Sequence, residues 1–150
     1  ELDLGIVTLP LLRSGLTEEV LFRQRMVLVL PARHPRAKAP RLTLHDLKNE
    51  PFLLIDEHTR TGALLRGCFR AAGFTPQTVM DSGSFEVIKR YVAEGVGLSF
   101  LPECVITPQD RRLRTRPLVE LPEVSIGAIG RKGAYQSKAE QALLALLRHK

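Results

Sequence analysis

Tryptophan is absent from the 150 residues, and the other aromatics amount to 6 Phe and 2 Tyr. A chain so poor in flat rings offers no stacking platform for single-stranded nucleic acid. Cysteine is scarce as well. Cys68 and Cys104 are far apart in sequence and form no CxxC pair. The expectation for both is a small buried hydrophobe in a reducing compartment. No apolar run approaches the roughly 20 residues that a membrane-crossing helix needs. His34, His45, His58 and His149 show no HxxxH or Cys spacing, so no metal is expected. The opening Glu1-Leu2-Asp3 lacks the basic start and hydrophobic core of a secretory signal. There is no initiator Met, and the chain reads as a piece of something longer.

What is present describes one ordinary core or two small lobes: 44% hydrophobic and 25% charged residues, with a formal net charge of +6. A basic balance permits a polyanionic partner but speaks to solubility and nonspecific binding, not to fold. Leu4 to Leu9 reads as a short strand ending at Pro10, Leu11 to Gly15 as a loop, and Leu16 to Leu30 as extended chain that Pro31 stops. Pro35 and Pro40 keep the next segment irregular. Thr43 and Asp46 make an approximate capping box for a short helix over LHDLKN.

From Phe52 to Leu101 the pattern is strand, polar loop, helix, strand, polar loop, helix, strand, as a parallel sheet requires. The strands are Phe52–Ile55, Thr78–Met80 and Val96–Leu101, the last closed by Pro102. One helix is expected over Ala63–Ala72. The second starts at Ser84, places Phe85, Ile88, Tyr91 and Val92 on an apolar face with Lys89, Arg90 and Glu94 largely opposite, and stops at Gly95. Val105 and Ile106 suggest a turn of helix, Asp110 to Arg116 a basic solvated loop, Leu118 to Leu121 a short strand, and Val124 to Gly130 another. Ser137 and Glu140 form a capping box for a final helix whose apolar face is Ala139, Ala142, Leu143, Leu146 and Leu147.

Tests for catalysis come out thin. There is no GxSxG elbow, and Gly95-x-Gly97 lacks a third glycine and precedes a strand. Asp56-Glu57 has the chemistry of an acid/base pair, but adjacent carboxylates at a strand end are more often loop charges. The polar loops offer ligand chemistry instead. In an open parallel sheet small molecules bind beyond the carboxyl ends of the strands, where helix N-termini point. Thr8 ends the first strand, Thr59, Arg60 and Thr61 precede one helix, and Ser82 and Ser84 precede the next. Hydroxyls, free amides and one guanidinium suit a small carboxylate, sulfate or phosphate. Equally, Thr61 and Ser84 can be no more than N-caps and Arg60 a solvated charge.

The order of these pieces resembles the effector-binding domain of LysR-type transcriptional regulators. The matching segments are ELDLGIV, MVLVLPARHPRA, LTLHDLKNEPFLLI, FRAAGFTPQTV, SFEVIKRYVAEGVGLSFLPE and the closing strand and helix. The resemblance implies an α/β, type II periplasmic-binding-protein-like fold: two Rossmann-like lobes joined by two crossing strands. On that reading residues 23–131 form a complete second lobe, and 1–22 with 132–150 a partial first one. It implies a bacterial cytoplasmic regulator that binds a small metabolite between its lobes, assembles as a homodimer or homotetramer, and grips promoter DNA through an N-terminal helix-turn-helix absent from this chain. It implies no membrane association.

By position, the resemblance assigns ligand contacts to Thr8, Thr59, Arg60, Thr61, Ser84 and Leu101. It assigns a dimer surface to Ala63, Leu64, Gly67, Cys68, Ala71, Gln77 and Val79. No catalytic residue, metal or cofactor is implied. Peroxide-sensing members carry a reactive Cys where this chain has Thr59, so disulfide sensing through Cys68 lacks its attacking group. The alternatives are a transport binding protein of the same fold and, further off, an enzyme built on it.

Overall fold

The structure is a computed structural model, and it describes residues 4–11 and 13–148. His149 and the opening Glu1–Asp3 lie outside the described residues. In chain order the elements are β1 (Leu4–Leu9), β2 (Leu16–Pro31), β3 (Pro51–Ile55), α1 (Arg60–Ala71), β4 (Gln77–Ser82), α2 (Phe85–Ala93), β5 (Ser99–Pro102), β6 (Leu113–Arg116), β7 (Glu123–Arg131) and α3 (Lys138–Arg148). Single 3-10 turns occupy Pro35–Lys38, His45–Leu47 and Glu103–Val105.

The chain divides into two compact units, Glu1–Gln24 with Glu123–Lys150, and Arg25–Pro122. The second compact unit thus runs from Arg25 to Pro122, within the 23–131 expected for the second lobe. β7 groups with the first unit because it pairs antiparallel along the whole of β1, from Leu4 with Gly130 to Leu9 with Ser125. In this unit Leu21, Ala128 and Leu144 form a small core, with Leu4, Phe22 and Leu147 against it.

In the second unit, the far half of β2 is antiparallel to β5 on one side and β6 on the other. Met26 to Leu30 are all buried, as befits a strand covered on both faces. β3 and β4 are the parallel pair that the alternating pattern predicts. A parallel bridge from Phe52 to Leu98 extends it, held by Leu53 N–H to Leu98 O and Leu98 N–H to Pro51 O, both 2.8 Å. Four of the six phenylalanines meet under this sheet. Phe52, Phe74 and Phe100 ring Phe69 with centroids 5.2–5.5 Å apart, a geometry worth about 1 kcal/mol per pair beyond area burial.

Several expectations change. α1 starts at Arg60, three residues before the predicted Ala63, because Thr59 and not Thr61 is its N-cap. Val96 is exposed and precedes the strand, which begins at Ser99. The short helix over LHDLKN shrinks to one 3-10 turn, although Thr43 and Asp46 do cap each other, with Thr43 N–H to Asp46 Oδ2 at 2.8 Å. Leu118–Leu121 is a turn, not a strand. The supposed basic loop is half strand: β6 takes Leu113–Arg116, and Arg116 donates to the Ala37 and Ala39 carbonyls at 2.9 and 2.6 Å. Cys104 is exposed and Cys68 half-buried, so neither is a core thiol.

Both amphipathic helices rotate relative to their predicted faces. In α3 the capping box holds (Ser137 N–H to Glu140 Oε2, 2.6 Å), but Leu144 is the buried residue while Leu143 and Leu146 are exposed. In α2, Ile88 and Val92 are buried as expected. Tyr91 is exposed, however, and Lys89 is buried with them. Gly95 ends α2 at φ 81°, the left-handed stop.

Candidate functional site

β3 and β4 run parallel, so they deliver their loops to one edge. Ile55 and Ser82 are register partners at the ends of the two strands, and the Asp56 N–H donates to the Ser82 carbonyl at 3.2 Å. A helix N-terminus follows each. Thr59 caps α1 by accepting from the Gly62 N–H at 3.0 Å, and Ser84 caps α2 by accepting from the Val87 N–H at 3.4 Å. Two first turns, each with amides that no intrahelical carbonyl can take, therefore open at the same sheet edge.

The hydroxyls at this edge are not equivalent. Thr59 Oγ1 donates its proton to the Asp56 carbonyl at 2.6 Å while accepting from Gly62, so it has nothing left to donate to a ligand. Ser84 Oγ only accepts, and its proton is available. Among the described residues Thr61, half-buried in the first turn, makes no hydrogen bond through its side chain, and the Arg60 guanidinium is likewise unengaged. Gly62 closes the loop from below. It is buried, and a Cβ there would land on the Asp56 carbonyl oxygen, so only glycine lets α1 start this close to β3. This requirement was readable only as a lone glycine after two hydroxyls.

A shallow hollow of about 500 Å³ takes in Glu57, His58, Thr59, Arg60, Ala63 and Leu64; Thr61 and Ser84 do not line it. The carboxylates considered for acid/base work have structural partners. Asp56 Oδ1 accepts from the His58 N–H at 2.8 Å, and Glu57 pairs with Arg66 at 3.2 Å. Arg66 also holds Asp81 at 2.7 Å, tying α1 to β4. Leu101 is fully buried in β5 opposite Val27, so its side chain packs in the core. Thr8 belongs to the first unit, half-buried on β1 opposite Ile126.

The residues assigned to a dimer surface lie on two adjacent elements. Ala63, Leu64 and Ala71 are exposed on α1 with Gly67 and Cys68 half-exposed, and Gln77 and Val79 are exposed on β4. β4 pairs only with β3 among the described residues, leaving its outer edge open. Burial pushes the Cys68 thiol up, which disfavours the thiolate. Among the described residues no group of three His, Cys, Asp or Glu side chains is placed to hold a metal ion, and no helix is long and apolar enough to cross a membrane.

Sequence reasoning missed one polar centre. Lys89 Nζ, on α2, reaches Glu86 at 2.8 Å, Val105 O at 3.0 Å and Asp110 at 3.1 Å. Burial pulls its pKa down, but the two carboxylates outweigh that and leave it above the ordinary lysine value. Asp110 is held below the usual carboxylate range by the Thr107 N–H first and Lys89 second. This network pins α2 to the turn before β6.

A parallel βαβ edge with two helix N-termini opening on it belongs to an α/β domain, and its solved neighbours give it the periplasmic-binding-protein-like class. The chain belongs to the LysR substrate-binding domain family, whose model matches residues 1–150. It is 31% identical over 126 residues to the uncharacterized HTH-type transcriptional regulator YnfL of Escherichia coli K12, covering 83% of this chain and 42% of that protein. It is 28% identical over 125 residues to the transcriptional dual regulator GltC of Bacillus subtilis 168, with the same coverage. Among solved structures, the putative LysR family regulator PA01 of Pseudomonas aeruginosa superposes with a TM-score of 0.82 at 25% identity, over 98% of this chain and 52% of that one. The chain thus spans about half the length of the relatives it matches.

Proposed function

We propose that this chain is the effector-sensing part of a cytoplasmic, non-enzymatic bacterial transcription regulator, and that its effector is a small organic or inorganic anion. The observation that carries the reading is the shared edge of β3 and β4, where α1 and α2 both open their first turns. Arg60, the Thr61 hydroxyl and amide, and the Ser84 hydroxyl are the donors for the anion. Thr59 acts through α1 by fixing the loop. The exposed faces of α1 and β4 pair two copies, and promoter DNA is held by a helix-turn-helix elsewhere in the intact protein.

Thermal-shift screening of organic acids and oxyanions tests this. An effector present at about 100 times its Kd stabilises by about 2.7 kcal/mol. Arg60→Ala and Thr61→Ala should each remove most of the shift without lowering the unliganded midpoint. A neutral aromatic compound giving the only shift, unaffected by both substitutions, would sink the anion reading.

A further inference from the structure

We propose a second oxyanion site in this domain, away from the α1 and α2 N-termini, built by Arg33, Arg111 and Arg112 for a phosphate or sulfate ester. The placement follows from strand register. Pro31 and Leu113 are the last partners of β2 and β6, and beyond them the Ala32 N–H donates to the Arg112 carbonyl at 2.8 Å. That bond clamps the turn after β2 to the turn before β6. Arg33 and Arg111 each stand two residues past the Pro31–Leu113 pair, so they leave the clamp from matching positions. The hollow between the turns measures about 460 Å³ and is lined by Pro31, Ala32, Arg33, Ala93, Arg111 and Arg112.

Charge accounting gives the ligand class. The acids near the hollow are engaged: Glu94 is paired with Arg112 at 2.7 Å, and Glu86 and Asp110 share Lys89, which leaves one negative charge there against the two guanidiniums of Arg33 and Arg111. Arg112 also donates to the Ala93 carbonyl at 3.0 Å, which quenches the end of α2 that would otherwise repel an anion. The Arg33 and Arg111 guanidiniums make no hydrogen bond or ion pair among the described residues. Two unneutralised planar forks facing one hollow match a dianion with several acceptor edges, whereas a lone carboxylate fills only one fork. The hollow exceeds the size of the oxyanion alone, so it suits a small ester.

The test follows amide NMR shifts of the chain while inorganic phosphate, sulfate and glycerol phosphate are titrated in at about 10 mM salt, where screening is weak. Saturable shifts are expected at Ala32, Arg33, Arg111 and Arg112. Binding should weaken at least tenfold in Arg33→Gln and in Arg111→Gln. Arg111→Lys, which keeps the charge but loses the fork, should also weaken it, while Arg60→Gln leaves it intact. These surface substitutions spare the core, so unfolding midpoints should not move. Shifts centred on Thr61 and Ser84 and lost in Arg60→Gln would assign the anion to the effector edge and overturn the second site. So would undiminished binding in Arg111→Gln, no saturable response, or a response to duplex DNA only, which would mark a diffuse basic surface.

Discussion

At the residue scale, Lys89 shows how far a polar side chain departs from the surface when its neighbours supply acceptors. Its side chain is 7% exposed, and an ammonium buried to that degree is tolerable only because two carboxylates and a carbonyl surround it. Removing one member strands the other: Lys89→Ala leaves Asp110, itself mostly buried, without its cation. A loss of about 3 kcal/mol is expected in urea unfolding, with Glu86→Ala costing far less because that carboxylate is exposed. The pH dependence has a definite sign. The Asp110 pKa is lowered on folding, so its contribution is present above the unfolded carboxylate value and is lost as pH falls through the folded one. The Lys89 pKa is raised, so its share is present below the unfolded lysine value and is lost as pH rises past the folded one. The wild type should therefore lose stability below about pH 4 and above about pH 10, and Lys89→Ala should remove the Lys89 share of the alkaline limb while only reducing the acid one, since Thr107 still holds Asp110. A variant with an unchanged alkaline limb would mean that Lys89 is not coupled to folding.

At the scale of elements, the open edge of β4 is the feature that asks for a partner. An edge strand with exposed Val79 beside a helix exposing Leu64 is a surface that proteins ordinarily pair or blunt. If two copies pair there, Val79→Lys should shift the protein from dimer to monomer in sedimentation while changing the unfolding free energy by less than about 0.5 kcal/mol. An unchanged sedimentation coefficient would place self-association elsewhere. The elements themselves were largely legible. The β3–α1–β4–α2 alternation carries its own punctuation, and Ser84, Gly95, Ser137 and Glu140 do what their residue types do at helix ends. What was not legible depends on tertiary contacts. Thr59 and Thr61 are equally good caps in local sequence, and the hydrogen bond to Asp56 decides for Thr59. The run Leu143-Leu144 and Leu146-Leu147 supports two apolar stripes, and the sheet selects Leu144 and Leu147. Arg33 and Arg111 are far apart in the chain, and only the register of β2 with β6 brings them together. Leu101, which the resemblance assigns to the ligand, has a fully buried side chain in β5.

At the scale of the whole molecule, burial is distributed unevenly between the two units. Outside Arg25–Pro122, the buried apolar side chains among the described residues are Leu9, Leu21, Val124, Ala128 and Leu144. Inside it are the phenylalanine cluster, all of Met26–Leu30 and the buried faces of both helices. Since each buried aliphatic or aromatic side chain contributes about 1.5–3 kcal/mol, the second unit has much the larger reserve against local opening. β2 offers an internal control, because this single strand runs through both units. From Leu16 to Gln24 only Leu21 is buried, whereas every side chain from Met26 to Leu30 is. Local opening follows the density of buried contacts and not the continuity of a strand. Native-state hydrogen exchange should therefore split β2 near Gln24 and Arg25. Amides of Met26–Leu30 are expected to open at least tenfold more rarely than those of Leu16–Phe22, with β1 and α3 grouping with the faster half and β3 and β5 with the slower. Uniform protection along all of β2 would show instead that the two units open together as one cooperative structure.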